Sequence, residues 1–125
     1  MNSRAEKLLR ALVTVPELNW VIGPGKAVAE GKTDPATVRL SIKDDWATVN
    51  MAEWHCHLAL AEVARMKFVE GESSRGRPSR SIHFVNPAGD SLLRVYFSKL
   101  TDDAGHVDQG KLTRFEDLRA EFGEP

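Results

Sequence analysis

The chain predicts an α+β domain in which one helix opens, and another closes, a run of antiparallel strands. Three observations carry this reading. Leu8, Leu9, Leu12 and Val13 recur at helical spacing near the start. Leu112, Phe115, Leu118 and Phe122 repeat such a stripe near the end. Between them, apolar and polar residues alternate over 38–43, 81–85 and 91–98, the period of a half-buried strand.

Taken in order, Ser3-Arg4-Ala5-Glu6 has the form of a capping box, so a helix is expected over residues 3–14. Pro16 ends it or begins a second short turn through Trp20. Gly23-Pro24-Gly25 breaks the chain, and Gly31 to Pro35 reads as a second polar interruption. Val38, Leu40 and Ile42 then alternate with Arg39, Ser41 and Lys43 in a strand that stops at Asp44-Asp45. A second extended segment runs over 46–50, and a third carries His55 and His57. Residues 63–70 place Ala64, Met66 and Phe68 on one face and Arg65 and Lys67 on the other. A helix over 59–66 is the alternative there, since Leu60, Ala61, Glu62 and Ala64 are good helix formers. After a polar loop over 71–79, residues 81–85 and 91–98 form a hairpin through Asn86-Pro87-Ala88-Gly89-Asp90, which supplies the residues turns require. Residues 101–110 form another polar loop, in which Asp108 can cap a final helix near 110–121.

A length of 125 residues with 42% hydrophobic content suits one globular domain, spanning 1–125. Seventeen basic residues against 18 acidic ones remove the electrostatic case for nucleic-acid binding. The single cysteine, Cys56, excludes an internal disulfide and fits a reducing cytoplasm. Charges at Arg4, Glu6, Lys7 and Arg10 interrupt any leader-like segment, and no apolar run reaches the ~18 residues that span a bilayer. A soluble, cytoplasmic protein is the expectation. No Walker A, G-x-S-x-G or H-E-x-x-H pattern occurs, and Asp44-Asp45 and Asp102-Asp103 read as solvated turn charge.

The chemistry concentrates in Trp54-His55-Cys56-His57-Leu58. Imidazoles two residues apart share a face of an extended strand, and Cys56 points to the other, where it reads as a small buried hydrophobe. The pair supports an axial haem ligand, two ligands of a divalent metal, or two structural strand histidines. Arg75, Arg77, Arg80 and Arg94 either bind propionate or phosphate oxygens or form a solvated basic surface. Tyr96 shares a strand face with Arg94 and is either a phenolate ligand of ferric iron or a core or interface tyrosine. His83 and His106 read as strand and loop histidines without function.

The strand-rich part resembles the haem-iron utilisation proteins of the HemS, ChuX and HutX type. The likeness runs over about residues 38 to 122. It rests on Asp45-Trp46-Ala47-Thr48-Val49 followed by Glu53-Trp54-His55-Cys56-His57-Leu58. It continues through Gly76-Arg77-Pro78-Ser79-Arg80-Ser81-Ile82-His83-Phe84-Val85-Asn86 and Ala88-Gly89-Asp90-Ser91-Leu92-Leu93-Arg94-Val95-Tyr96-Phe97. Leu112-Thr113-Arg114-Phe115-Glu116-Asp117-Leu118 is similar to the family's final helix. The resemblance implies a large antiparallel sheet with helices packed on it, and pairing of two units as a homodimer. It also implies haem as ligand, with His57 favoured over His55 because it precedes the apolar residue of that strand. Family members carry a loop ahead of this span with a histidine or tyrosine that reaches iron, whereas here none precedes His55. A haem-binding carrier or haem-handling protein is therefore expected. The alternatives are a dimeric domain that keeps the fold and binds a partner or another small anionic ligand, and a metal-dependent enzyme built on His55 and His57. No residue set predicts haem degradation.

Overall fold

The computed structural model describes residues 3–23 and 25–123. Helix α1 (Ser3–Leu12) buries Ala5, Leu8, Leu9 and Leu12. Glu6 accepts from Arg10 Nε at 3.1 Å, one helical turn on. The helix stops short of the expected residue 14, because Thr14 and Val15 donate three residues back, to Ala11 and Leu12, in a tightened last turn.

Eight strands follow: β1 (Leu18–Ile22), β2 (Ala29–Thr33), β3 (Arg39–Lys43), β4 (Trp46–Asn50), β5 (His55–Ala59), β6 (Arg65–Glu72), β7 (Pro78–Val85) and β8 (Ser91–Phe97). They build a five-stranded sheet in the order β2-β1-β8-β7-β6 and a three-stranded sheet in the order β3-β4-β5. Every named pairing is antiparallel. Helix α2 (Gln109–Phe122) closes the chain, and Asp108 caps it by accepting from Lys111 N at 3.1 Å. The expected α+β architecture with terminal helices is therefore present. Among the described residues no helix is long and apolar enough to cross a membrane.

Two expectations are corrected. The turn through Trp20 is strand β1, and the interruption starting at Gly31 is the end of strand β2. Leu18 and Trp20 are fully buried on one face of β1, while Asn19 is only partly covered on the other. Strand β2 lies at the sheet edge, where exposed Glu30 and Lys32 are tolerated, and its buried Thr33 accepts from Trp20 Nε1 at 2.7 Å. The helix considered for 59–66 shrinks to a 3-10 turn, Leu60–Glu62, and the chain is extended again from Arg65. Asp44 and Asp45 both adopt left-handed conformations, φ 52° and 65°, and turn β3 directly into β4.

One core serves both sheets and both helices. It collects Trp20, Ile82, Phe84 and Val95 from the larger sheet, Ala47, Val49, Cys56 and Leu58 from the smaller one, and Phe115, Leu118 and Phe122 from α2. Each sheet therefore has an inner face on this core and an outer face turned away from it.

At the α2 end of the core, Lys111 is drawn inward with its side chain 10% exposed. Its ammonium donates to Glu17 Oε1 at 2.9 Å and to the carbonyls of Ser98 and Lys99 at 3.0 and 3.3 Å. Glu17 holds this position with a left-handed backbone, φ 58°. Hydrogen bonds from Lys111 and then Lys99 bring its carboxyl down to about 2. A depressed carboxyl stabilises the fold above its unfolded value of 4.5, and that contribution is lost as pH falls toward 2. Glu17→Gln is expected to cost about 1 kcal/mol near neutral pH, the partly exposed carboxylate being screened by water. It should also flatten the acid limb of stability against pH between 4.5 and 2, measured by urea unfolding. An unchanged acid limb would reassign that sensitivity to other carboxyls.

Candidate functional site

The register of the larger sheet sets out its outer face row by row. Val21 pairs with Glu30 on one side and Arg94 on the other, Arg94 with His83, and His83 with Lys67. The neighbouring row runs Lys32, Asn19, Tyr96, Ser81, Val69. Directly opposed residues project to one side of a sheet, so these ten share the outer face. Val21 is 8% exposed and Ser81 3%, and Val21 lies outside the core cluster.

His83 is at the centre. One ring nitrogen, Nε2, lies 3.0 Å from Ser81 Oγ, and the Tyr96 ring centroid is 6.4 Å from that of the imidazole. Burial first, then the charges of Arg94 and Lys67, lowers its pKa from 6.5 to about 4. The ring is therefore neutral near pH 7 and keeps a nitrogen lone pair. Arg94 donates through Nε to Ser91 Oγ at 3.2 Å. Among the described residues neither Arg94 nor Lys67 forms an ion pair. A neutral base between two unpaired cations, bordered by Val21, Val69 and the Tyr96 ring, can receive a flat, partly apolar anion.

The other sequence-derived residues separate from this face. His55 and His57 are exposed on the outer face of the three-stranded sheet, opposite Asn50 and Thr48. Their rings meet edge to face at 4.9 Å, and His57 Nδ1 lies 2.8 Å from Thr48 Oγ1. Cys56 points into the core, where burial pushes its thiol up to about 11. Arg80 is one residue out of step with Ser81 and His83, so it projects to the inner side, opposite Glu70. Its Nε lies 3.9 Å from Glu70 Oε1. Arg77 in the β6–β7 turn donates to the Asp102 carbonyl at 3.0 Å, and Arg75 is exposed in the same turn. Of the four arginines, Arg94 alone joins Tyr96. The sequence reads His83 as a strand histidine without function and does not single out Ser81 or Lys67; the available signal is the two-residue spacing of Ser81 and His83 on β7, with Lys67 facing His83 across the β6–β7 hairpin.

A cleft of about 590 Å³ near the start of α2 is lined by Glu17, Lys99, Asp102, His106 and Lys111 among others. Those five side chains are engaged with one another, Glu17 with both lysines and Asp102 with His106. Among the described residues no group of three or more His, Cys, Asp or Glu side chains is placed to hold a metal ion.

These features sit on a recognisable scaffold. The sequence pattern of the HemS/ChuX-type haem-utilisation family matches residues 6–123, and the chain belongs to that family. The match begins well ahead of residue 38, so the segment containing α1, β1 and β2 is part of the family's span. A protein of known structure from Agrobacterium tumefaciens superimposes with a TM-score of 0.78 at 21% identity, over 96% of this chain and 67% of that one. The heme-binding protein ChuX gives 0.75 at 13% identity, over 93% and 70%. PhuS, a heme-binding protein from Pseudomonas aeruginosa, gives 0.72 at 18% identity over 98% of this chain, which spans only 33% of PhuS. At these identities the likeness establishes the fold. No curated protein matches the chain by sequence.

Proposed function

We propose that this protein is a cytoplasmic haem-binding carrier, acting as a homodimer of single-domain units, and that it receives haem on the outer face of the five-stranded sheet. The observation that carries the reading is the neutral imidazole of His83 between the unpaired cations Arg94 and Lys67, beside Tyr96. Membership of a haem-utilisation family supports it. The donor set fits such a cargo: His83 offers a lone pair to iron, and Arg94 and Lys67 match two carboxylates. Val21, Val69 and Tyr96 offer apolar contact. To ligate, His83 either uses Nδ1 or releases Nε2 from Ser81.

A second reading places the iron on His57, as the family resemblance implied. It is favoured by Thr48, which engages Nδ1 and leaves Nε2 pointing outward.

Titration of the purified chain with haemin, followed at the Soret band, separates the two. His83→Ala is expected to abolish the shift, and Arg94→Ala to weaken binding about tenfold, the loss of one charge-assisted hydrogen bond. His57→Ala should leave it unchanged. Loss with His57→Ala alone would move the iron to the smaller sheet. No shift with the unaltered chain would remove haem and leave a fold that serves another small anion or a partner. Sedimentation at micromolar concentration tests the dimer, and a monomer there would remove it.

A further inference from the structure

We propose that His55 and His57 form a second binding site, for a divalent first-row transition cation, on the outer face of the three-stranded sheet. The site is distinct from the haem site proposed at His83, because the two outer faces are turned away from a shared core.

Strand geometry brings the ligands together. Residues 55 and 57 of β5 project to one side, and β4 supports them from directly opposite, Asn50 beneath His55 and Thr48 beneath His57. Both imidazoles are exposed, and their ring centroids are 4.9 Å apart with planes at 69°. That separation lets one nitrogen of each ring approach a common ion at the usual ~2.0–2.1 Å by side-chain rotation alone. Thr48 Oγ1, 2.8 Å from His57 Nδ1, accepts from that nitrogen in the tautomer that leaves the Nε2 lone pair facing out. A hydrogen bond to the second nitrogen is the usual support of a metal-bound imidazole.

The surroundings set the ion's class. Arg39, Ser41, Lys43, Trp46, Thr48 and Asn50 share this face with the histidines. No carboxylate is among them, so hard cations such as Mg²⁺ and Ca²⁺ find no suitable ligands. Two neutral imidazoles with water in the remaining positions suit borderline cations, in the order Cu²⁺ above Ni²⁺ and Zn²⁺. With two protein ligands and cationic neighbours, the affinity is modest and the ion exchangeable. Trp46, 51% exposed and diagonal to His57, supplies an optical reporter.

The test is titration of the haem-free chain with CuCl₂, NiCl₂ and ZnCl₂, read by calorimetry and tryptophan fluorescence. One ion per chain is expected, tightest for Cu²⁺, with Cu²⁺ and Ni²⁺ quenching emission and Trp46→Phe removing most of that quenching. His55→Ala and His57→Ala should each lower the affinity at least tenfold, and Thr48→Val should lower it less. His83→Ala should have no effect on metal binding, whatever it does to haemin. These positions are exposed or half-buried, so circular dichroism should show the variants folded. Undiminished Cu²⁺ binding in the folded His55→Ala/His57→Ala double variant, or no Cu²⁺ binding by the unaltered chain, would overturn the site. So would equal affinity for Mg²⁺.

Discussion

Phe115→Ala is expected to lower unfolding stability by about 3–5 kcal/mol, the range for removing a buried aromatic ring. Phe115 is fully buried on α2, and its ring meets Phe68 of β6 at 5.5 Å and Phe97 of β8 at 5.4 Å, both edge to face. These strands lie on either side of β7, so one side chain ties the helix to the inner face on both sides of the strand that carries His83. Truncation removes the transfer energy and leaves a cavity that two strands and a helix cannot easily close. Phe115→Leu refills much of that volume and should cost clearly less. The measurement is the urea midpoint at constant slope for both variants. A loss below about 1 kcal/mol for the alanine variant would show that α2 repacks freely and is no fixed support of the sheet.

The elements legible in the sequence are those whose cause is local. The β7–β8 hairpin announces itself because its turn residues and its alternation lie within one short stretch. Helix α2 does so because Asp108 and the stripe of Leu112, Phe115, Leu118 and Phe122 are contiguous. Strand β1 is not legible locally because its stabilising partner is remote. Leu18 pairs with Phe97 of β8 and Trp20 with Val95, contacts that no short window contains. Strand β2 carries Glu30, Gly31 and Lys32 in sequence, which is turn composition, and it is extended because it completes an edge beside β1.

The candidate site divides along the same line. Arg94 with Tyr96 and His55 with His57 follow from two-residue spacing within one strand, and the structure keeps each pair on one face. The grouping of His83 with Arg94 depends on the register across the β7–β8 turn, and that of Lys67 with His83 on a second register. A shift of either by one residue would have put Ile82 or Phe84 there instead. His57 and Arg94 are both haem-binding candidates in the sequence, where nothing local shows whether they share a sheet. The chain assigns them to different sheets, with the Leu60–Glu62 turn between.

Gly31→Val is expected to cost about 3 kcal/mol, the upper part of the range for overpacking a filled interior. Gly31 has no left-handed backbone to protect; its lack of a side chain is needed for space. A Cβ there would be driven into Trp54 Cζ2 and Met51 Sδ, which lie against the bare backbone of β2. Gly31 stands opposite Trp20 on β1, so this contact joins the edge of the larger sheet to the segment leading into β5 and its histidines. Neither Trp54 nor Met51 can simply swing outward, since both belong to the packed interior or its margin. Relief therefore requires β2 to part from the smaller sheet. Unfolding in urea should show the loss, and Gly31→Ala should show a smaller one in the same direction. A paired Gly31→Ala/Met51→Ala variant should recover part of the packing clash while adding the cost of the lost methionine contacts, giving a sum that is not additive. If Gly31→Val unfolds at the midpoint of the unaltered chain, the two sheets are not held together at this point. The placement of His55 and His57 would then rest on β3 and β4 alone.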